Sequence, residues 1–546
     1  MFRLLLLLFF YSNLIFAQLP LVRQWDVSFG GSNPDILTTL ISSKTGGFYL
    51  GGYSQSNWGC TKTSINKGGY DFWIVKCDSI GRKELDLDLG GTNIDFMADM
   101  DLTPDGGLII GGSSYSGVSG DKTKPLKGSG DYWVIKIDAN GNFLWDQDYG
   151  GLNFDRLSSI RMTSDQGYII GGSSLSPAGG DKSQGNWDPT QASEDFWIIK
   201  IDSLGNIMWE KTYGGLTIDR LLSIRQCADG GYFAAGMSNS GIGGNKSDST
   251  KGNFDYWLLR LDYKGNLLWD KDYGSTNADL LGAMEITNDQ GCILGGISMT
   301  GISGDKSDSG CTSWDYWVVK VDSSGNIQWD KDFGGNQVED DLGQILKTQD
   351  DGFLICGASY SPISCDKTDA NLGREQSWAI KIDSTGNTLW SRTLQTFFPN
   401  SDDESCFAVQ TKDDGYAFAN STQGLHYQGD KNSNTCGDFD YWLIKFSDPN
   451  INTGINNAPT GNTLFSISPN PFQNAISISS GERSLKNFEI FVFNMLGQNV
   501  FHSKNISPGG DQNLTLDLSF LKEGLYNLVI KSDTQITTLK IVKAGE

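Results

Sequence analysis

Seven aspartates recur at one position of a repeated segment, and they are the first side chains in this chain that could do chemistry. They are Asp35, Asp95, Asp155, Asp219, Asp279, Asp340 and Asp403. If the repeats close into a ring, these carboxylates surround the mouth of a central channel and form a site for a cation or a polar ligand. No cofactor is expected unless this ring holds calcium. The alternative, which we favour because the residue recurs in every unit, is that each aspartate caps its own turn by accepting backbone N–H groups of the preceding Gly-Gly loop.

A second recurring motif places an acidic residue beside a lysine in a glycine-rich loop. The pairs are Asp121-Lys122, Asp181-Lys182, Asp305-Lys306, Asp366-Lys367 and Asp430-Lys431, and Asn245-Lys246 is the exception. A lysine next to the carboxylate partly neutralises the charge that would attract a metal ion. We therefore expect these loops to be structural.

Side chains that break the repeat are the better candidates for binding one particular ligand. Channel-facing positions change from unit to unit, as in Asp101, Arg161, Arg225 and Glu285. Three tryptophans lie outside the repeat in long loops and form a candidate platform for stacking sugars; they are Trp58, Trp187 and Trp314. The alternative is that each loop tryptophan folds onto its own unit.

The composition excludes most enzyme classes. His426 and His502 are the two histidines among 546 residues, so a Ser-His-Asp triad, a Cys-His pair or a histidine-rich zinc site has almost nothing to be built from. A net charge of -23 without a basic cluster argues against nucleic acid and anionic lipid as partners. Aromatic residues make up 12% of the chain, which supplies a large core and excludes a disordered chain.

The repeat that positions these residues is marked by two series of tryptophans with spacings of 60 to 64 residues. The first series consists of Trp73, Trp133, Trp197, Trp257, Trp317, Trp378 and Trp442. The second consists of Trp25, Trp145, Trp209, Trp269, Trp329 and Trp390, with Leu85 in one place. Together they hold 13 of the 16 tryptophans, and a period of this length indicates a repeat architecture.

Each unit predicts four short strands, which in one unit are 155–163, 168–172, 195–202 and 207–213. Their alternation and their Gly, Asp and Asn turns are typical of one antiparallel sheet, the blade of a β-propeller. Val22 to Phe29 repeats the fourth strand ahead of the first unit, and the last unit ends after its third strand, Phe439 to Phe446. Pairing these two segments would close the ring and hide two sheet edges. We therefore predict an all-β chain in which residues 18–447 form a seven-bladed β-propeller closed by its N-terminal strand.

The hairpin that contains Trp145 carries a partial family likeness. Asp138, Gly141, Asn142 and Trp145 resemble the Asp-Gly-Trp docking motif of pyrroloquinoline-quinone dehydrogenase propellers and, more faintly, the Asp-box of sialidases. The Asp-to-Gly spacing is one residue shorter than in the first family, and the Gly-to-Trp spacing is one longer than in the second. The resemblance implies that these tryptophans pack between blades and implies nothing about chemistry.

Residues 1–17 form a predicted secretory signal peptide. Arg3 supplies the positive start, Leu4 to Phe10 is an unbroken apolar run, and Ala17 is a small residue for cleavage before Gln18. The run is too short to span a bilayer comfortably, which disfavours the alternative of a membrane anchor. We expect an exported chain with no membrane span after cleavage, in which disulfides can form.

After a polar linker at 448–462, residues 463–546 form a small predicted β-sandwich. Its motifs are a turn with Pro469, Asn470 and Pro471, an Asn-Met-Leu-Gly-Gln segment with Gly497, a Leu-x-x-Gly-x-Tyr strand with Gly524 and Tyr526, and a terminal Lys-Ile-Val-Lys. These motifs resemble the C-terminal sorting domain of type IX secretion cargo in Bacteroidetes. The resemblance implies the outer-membrane translocon as a partner, removal of this domain, and a secreted or surface-attached product. A structural immunoglobulin-like module is the alternative.

Four of the nine cysteines lie in long loops at matching positions. Cys311 and Cys436 precede the tryptophan of their blade by six residues, and Cys60 and Cys365 precede it by thirteen. Because blades 5 and 6 and blades 7 and 1 are neighbours in a ring, the spacing predicts the disulfides Cys311–Cys365 and Cys436–Cys60. The alternative is four free loop thiols.

Two functions remain open. The favoured one is an exported, non-catalytic binding or adhesion propeller whose ligand is a glycan, a surface polymer or a protein. The alternative is a carbohydrate-active enzyme with two carboxylates on the loop face, about 5 or about 6.5–9.5 Å apart. The scarcity of histidine and the lack of a non-repeated acid cluster favour binding, so no catalytic residue is assigned.

Overall fold

Each repeat unit folds into one four-stranded antiparallel sheet in the computed structural model of the chain. The structure describes residues 21–299, 301–311, 314–337, 341–397, 402–448, 465–468, 472–480, 488–494, 499–506, 513–522, 524–531 and 536–544. The chain divides into two compact units, Met1–Asn452 and Thr453–Glu546. The predicted signal peptide and residues 449–462 of the predicted linker lie outside the described residues.

The first unit begins with β1 (Val22–Phe29), and six complete blades follow in chain order. Blades 1 to 3 contain β2 (Asp35–Ser42), β3 (Phe48–Ser54), β4 (Asp71–Cys77) and β5 (Lys83–Leu89); β6 (Asp95–Leu102), β7 (Leu108–Ser114), β8 (Asp131–Ile137) and β9 (Phe143–Tyr149); and β10 (Asp155–Met162), β11 (Tyr168–Ser174), β12 (Asp195–Ile201) and β13 (Ile207–Tyr213). Blades 4 to 6 contain β14 (Asp219–Gln226), β15 (Tyr232–Ser238), β16 (Asp255–Leu261) and β17 (Leu267–Tyr273); β18 (Asp279–Ile286), β19 (Cys292–Met299), β20 (Trp314–Val321) and β21 (Ile327–Phe333); and β22 (Asp341–Lys347), β23 (Phe353–Ser359), β24 (Gln376–Ile382) and β25 (Thr388–Thr393). Within each blade, neighbouring strands pair in sequence order.

Blade 7 combines the two ends of the repeat region. Its strands β27 (Asp403–Gln410), β28 (Tyr416–Thr422) and β30 (Asp440–Ser447) come from the last unit, and β1 pairs antiparallel with β30 as the outer strand. A small extra sheet of β26 (Thr396–Phe397) and β29 (Leu425–Gly429) lies in the same repeat and was not predicted. The prediction of a seven-bladed propeller closed by the N-terminal strand is confirmed.

Aromatic residues of the third strands join each blade to the next. The Tyr132 ring of blade 2 lies 5.0 Å from the Trp197 ring of blade 3, and its hydroxyl donates to the Trp197 backbone carbonyl at 3.2 Å. The same contacts join Tyr441 of blade 7 to Trp73 of blade 1, with ring centres 4.6 Å apart and a hydroxyl-to-carbonyl distance of 3.2 Å. The junction between blades 7 and 1 is therefore packed like the others.

The first strands of the seven blades surround a central channel. Going round the ring, β2, β6, β10, β14, β18, β22 and β27 contact one another in order, and β27 contacts β2. Each of these strands has one β-bulge, as between Leu157 and Ser159 of β10. Because a bulge redirects the side chains beside it, it decides which residues of the strand face the channel.

The second unit is a small β-sandwich. One sheet contains β31 (Phe465–Ser468), β32 (Ala475–Ser480) and β35 (Asn513–Asp517); the other contains β33 (Phe488–Asn494), β34 (Asn499–Ile506), β36 (Gly524–Lys531) and β37 (Ile536–Lys543). Side chains of both sheets, including Ile476, Val492 and Leu528, share one buried core. Across the described residues of both units, no helix has the length and apolarity that a membrane crossing needs.

Candidate functional site

The recurring aspartates begin the first strands but do not open onto the channel. The six described ones, Asp35, Asp95, Asp155, Asp219, Asp279 and Asp403, have no exposed surface. The Asp155 carboxylate accepts the Gly151 N–H at 2.7 Å and the Ser176 hydroxyl at 3.0 Å, and equivalent backbone bonds recur in blades 1, 2, 4 and 5. These residues do not form the predicted ring of ligand-binding carboxylates, because each is fully buried and one of its oxygens binds the segment before the strand. Asp340 lies outside the described residues.

Burial also makes these carboxyl groups poor ligands for a cation. It raises the pKa of Asp155 to about 6 and the pKa of Asp403 to about 7, against the opposing effect of hydrogen bonds from nearby hydroxyls. In the described part of the chain, no group of three or more His, Cys, Asp or Glu side chains could hold a metal ion. A calcium site would therefore need donors other than these six aspartates.

The lysines of the Asp-Lys loops are buried inside their own blades, and so are Lys62 and Lys246, which take the same place after Thr61 and Asn245. Lys62 has no exposed surface; its ammonium lies 2.6 Å from Asp88 Oδ2 of the fourth strand and 4.9 Å from the centre of the Trp73 ring. Lys122 and Lys246 make the same two kinds of contact. These loops therefore serve to hold the long second-to-third strand connection against the blade.

In four blades, the aspartate that pairs with this lysine lies close to a second aspartate. The pairs are Asp71 with Asp88, Asp131 with Asp148, Asp255 with Asp272 and Asp315 with Asp332, all buried. Burial and the neighbouring carboxyl group raise the pKa of Asp272 to about 8, and burial raises the pKa of Asp332 to about 7. Such pairs retain a proton at neutral pH, but they are shielded from any ligand.

The raised pKa values predict that the propeller loses stability as pH rises from about 4 to about 8. Unfolded aspartates have pKa values near 4, so across this window the folded state holds protons that the unfolded chain has released. The free energy of unfolding therefore falls as pH rises. We expect scanning calorimetry to show a melting temperature that drops by a few degrees from pH 5 to pH 8.

Blade 3 supplies the control for this pH dependence, because it has Thr212 where blade 4 has Asp272. A variant with Asp88→Thr, Asp148→Thr, Asp272→Thr and Asp332→Thr leaves one carboxylate per lysine. It should fold, and it should flatten the dependence of melting temperature on pH only in part, because burial raises the pKa of Asp195 to about 8 in blade 3, which lacks the second aspartate. If its slope equals that of the unmodified protein, the buried aspartate pairs are not the cause.

The three loop tryptophans lie in blades 1, 3 and 5 and do not form one platform. Trp58 is 71% exposed. Trp187 is half-buried and packs beside Gly244 of the next repeat, and Trp314 begins β20 opposite Met299. The repeat pattern of the strands does not determine the conformations of the long loops. The separation of the three tryptophan rings could therefore not be predicted from the sequence.

Only one of the two predicted disulfides is present. Cys311 and Cys365 are joined, with their Cα atoms 6.4 Å apart. Cys60 and Cys436 are both free thiols, so the second bond is not formed in the structure. Their side chains are nevertheless hydrogen-bonded to each other, and burial together with this contact raises the pKa of Cys436.

A cavity of about 750 Å³ lies at the centre of the ring. All seven first strands contribute to its wall, with one residue of each being Thr38, Ala98, Ser159, Ser223, Ala283, Gln344 and Phe407. Its wall is rich in hydroxyl groups, and its charged side chains are Asp99, Arg156, Arg161 and Arg225. A volume of this size is typical of sites for small ligands, on the order of 300–1,000 Å³.

Five aromatic side chains of blades 1 to 3 form a continuous row at one end of this cavity; we call them the aromatic arc. They are Tyr53, Tyr70, Phe96, Tyr115 and Phe154, each partly exposed. The ring centres of Tyr53 and Phe96 are 4.9 Å apart, those of Phe96 and Tyr115 are 6.5 Å apart, and Tyr115 stacks on Phe154 at 5.5 Å. All but Tyr70 line the cavity. Phe96 is near the start of its first strand and Tyr115 follows a second strand, so the arc lies at the loop-side mouth.

The arc does not follow the repeat. The position of Tyr115 is occupied in the other blades by Gln55, Leu175, Asn239, Met299, Tyr360 and Gln423. The position of Phe96 is occupied by Ile36, Arg156, Arg220 and Leu280 in blades 1, 3, 4 and 5. The arc was missed from the sequence, although aligning the seven units and looking for aromatic residues that depart from the consensus would have found it.

The channel-facing charges that were predicted from the sequence lie at the opposite end of the first strands. Arg161 forms an ion pair with Asp99, and the Arg225 side chain lies 3.3 Å from Glu285. Asp101 accepts the Met162 N–H at 2.9 Å. These charges are therefore matched within the wall of the channel.

The sorting motifs of the second unit are described in part. Gly524 begins β36 with a φ of 148°, and the Tyr526 hydroxyl donates to the Lys522 backbone carbonyl at 2.9 Å. Pro469, Asn470, Pro471 and Gly497 lie outside the described residues.

These features define an all-β chain made of a closed seven-bladed propeller with a central cavity and a small β-sandwich. Residues 466–544 match the family described as secretion system C-terminal sorting domain. The chain therefore carries this sorting domain and is type IX secretion cargo, delivered outside the cell or to its outer surface. The predicted recognition and localisation are confirmed.

Other similarities are distant. The regulatory protein FlaEY of Caulobacter vibrioides is 22% identical over 200 residues, which are 36% of this chain and 20% of that protein. A fungal alcohol oxidase of the AA5 family, in complex with copper, aligns at 12% identity and a TM-score of 0.42 over 95% of this chain and 100% of its own. A protein of unknown function from Dyadobacter fermentans aligns at 11% identity and a TM-score of 0.38 over 78% of this chain and 99% of its own. The propeller assignment accordingly rests on the strand pairing and the closed ring.

Proposed function

We propose that this protein is an exported, non-catalytic binding propeller and that its ligand is a glycan held at the loop-side mouth of the central cavity. The observation that carries the proposal is the aromatic arc. Scaffold side chains recur in every blade, whereas Tyr53, Phe96, Tyr115 and Phe154 come together once, on one side of the cavity. A departure from seven-fold symmetry at the cavity mouth is what recognition of one ligand requires.

A glycan fits this surface better than the other ligand classes left open by the sequence. The faces of sugar rings are apolar and stack on partly exposed aromatic rings, while their hydroxyl groups need hydrogen-bonding partners. The wall next to the arc supplies such partners through Ser113 and Ser158. Export to the cell surface also brings the propeller to the compartment where surface polysaccharides are found, so adhesion follows from glycan binding.

The alternative of a glycosidase needs two carboxyl groups that reach the substrate. Among the described residues that line the cavity, Asp99 is the one carboxylate, and it is paired with Arg161. The aspartates that do lie close together, such as Asp255 and Asp272, are buried in the blades. This distribution favours binding without hydrolysis.

Replacing arc residues should remove glycan binding. In a double variant with Tyr115→Ala and Phe154→Ala, we expect affinity for the glycans that the unmodified protein binds on an array to fall at least about ten-fold, since two stacking contacts of about 1 kcal/mol each are lost. Affinity is measured by titration calorimetry with the best array ligand.

The matched control is Tyr360→Ala. Tyr360 occupies the repeat position of Tyr115 in blade 6, outside the arc, so affinity should stay within two-fold of the unmodified protein. Failure of the protein to bind any glycan, or full binding by the double variant, would refute the proposal. Release of new reducing ends during incubation would instead support the enzyme.

A further inference from the structure

The rim of the cavity beside the aromatic arc has a cation with no counter-ion. Arg156 is the second residue of β10, is exposed, and lines the cavity. It shares the cavity wall with Tyr115 and Phe154 and is two residues from Phe154 in the chain. Within the described residues, Arg156 has no ion-pair partner, whereas Arg161 and Arg225 are matched by Asp99 and Glu285.

The neighbouring blade shows that this rim position can be neutralised within the chain. Arg220 occupies the position of Arg156 in blade 4, and its guanidinium is paired with Glu194. Glu194 belongs to blade 3, the blade that precedes Arg220. The blade that precedes Arg156 is blade 2, and it has Gly130 at the position of Glu194. Arg156 is thus left unpaired at the one place where the aromatic arc also ends.

We infer that the ligand carries a carboxylate and that the site selects an acidic sugar, such as a uronic acid, within its glycan. This inference rests on the proposed function. The sugar ring stacks on Tyr115 and Phe154, and its carboxylate is bound by Arg156, whose planar guanidinium suits a carboxylate through two parallel hydrogen bonds. One acidic unit suits the site better than a long polyanion, because the chain has a net charge of -23 and repels many like charges beyond the rim.

The test compares ligands that differ only in this charge. Trisaccharides that carry a single galacturonate, glucuronate or mannuronate residue, and the corresponding neutral methyl esters, are titrated into the purified protein at 0.15 M salt, where long-range repulsion is screened beyond about 8 Å. We expect at least one acid to bind at least ten-fold more tightly than its ester.

Variants at the rim assign the preference to Arg156. Arg156→Ala should abolish the difference between acid and ester, and Arg156→Lys should restore part of it. Arg220→Ala, at the matching but neutralised position, should keep the full preference.

Several outcomes would overturn the inference, and they separate it from the proposed function. If acid and ester bind with equal affinity, and the Tyr115→Ala and Phe154→Ala variant binds neither, acid selection is refuted while the proposed glycan binding stands. An unchanged preference in Arg156→Ala refutes the role of this residue. Binding of an acidic peptide with no binding of any glycan refutes both proposals.

Discussion

Deletion of residues 18–31 is expected to make the protein aggregate and to abolish its cooperative melting transition. The segment contains β1, which covers the outer edge of blade 7 by pairing with β30 from Phe29 opposite Tyr441 to Val22 opposite Ser447. Without it, β30 presents a row of unpaired backbone groups that other chains can pair with. The core at this junction also loses Phe29 and the packing of Trp25.

The same deletion removes partners from groups buried in blade 7. Asp26 accepts the Trp442 indole N–H at 3.1 Å, and Ser28 accepts a hydrogen bond from the Lys431 ammonium at 2.5 Å. Lys431 has no exposed surface, and burial already lowers its pKa to about 8. The Lys431 ammonium keeps its bond to the Ser433 carbonyl, but Lys431 and Trp442 each lose a hydrogen bond in a buried place, at a cost of about 1–3 kcal/mol each, in addition to the lost strand pairing.

Light scattering and calorimetry of the deleted chain measure both effects. Val22→Ala is the matched control, because Val22 lies in the same strand but is 49% exposed, and it should melt like the unmodified protein. Addition of a synthetic peptide of residues 18–31 should restore the transition if pairing is the cause. A deleted chain that stays unaggregated with an unchanged melting temperature would refute closure by this strand.

The strands and their closure could be predicted because they depend on local pattern and on spacing. In the unit that begins at Asp155, the predicted strands differ from the observed ones by at most two residues at any end. The alternation of apolar residues specifies which face of a strand is buried, and thirteen tryptophans fix the register between units. The repeat region starts with a spare fourth strand at Val22 and ends without one after Phe446. Pairing the spare strand with the last third strand is the arrangement that covers an open edge of each.

The candidate site could not be predicted in the same way. Whether Asp155 faces the channel or its own turn depends on where the Gly151 N–H points, which periodicity does not encode. The arc joins Tyr53 to Phe154 across three blades, and each ring alone is an ordinary aromatic residue near a strand end. The disulfide between blades 5 and 6 was predictable because Cys311 and Cys365 each lie a short, known number of residues before the third strand of their own blade.

Mild oxidation is expected to join Cys60 and Cys436 and to raise the melting temperature of the propeller by several degrees. Their loops have the backbone geometry of the pair that is already bonded. Cys60 and Cys365 have φ values of 52° and 49°. Cys436 and Cys311 each donate a backbone N–H to the aspartate four residues later, at 2.5 and 2.7 Å. Because the two thiols are already in contact, closing the bond requires little movement of the chain.

The reaction needs an oxidant, and oxidised glutathione is a suitable one. The two thiols lose two protons and two electrons, and the glutathione disulfide is reduced to two thiols. The raised pKa of Cys436 makes its thiol a weak nucleophile, so the exposed Cys60 should form the mixed disulfide first. Closing a loop of roughly 375 residues should add up to several kcal/mol on the chain-entropy model.

Non-reducing peptide mapping identifies the bond, and calorimetry before and after reduction measures its effect. Cys60→Ser is the control and should abolish the oxidant-dependent shift while leaving the Cys311–Cys365 bond in place. Cys356 and Cys406 are also hydrogen-bonded to each other, but both are fully buried, so the oxidant should leave them as thiols. If Cys60 stays fully alkylatable after oxidation, the two loops are not held together in solution, and the junction between blades 7 and 1 is held by non-covalent contacts such as that of Tyr441 with Trp73.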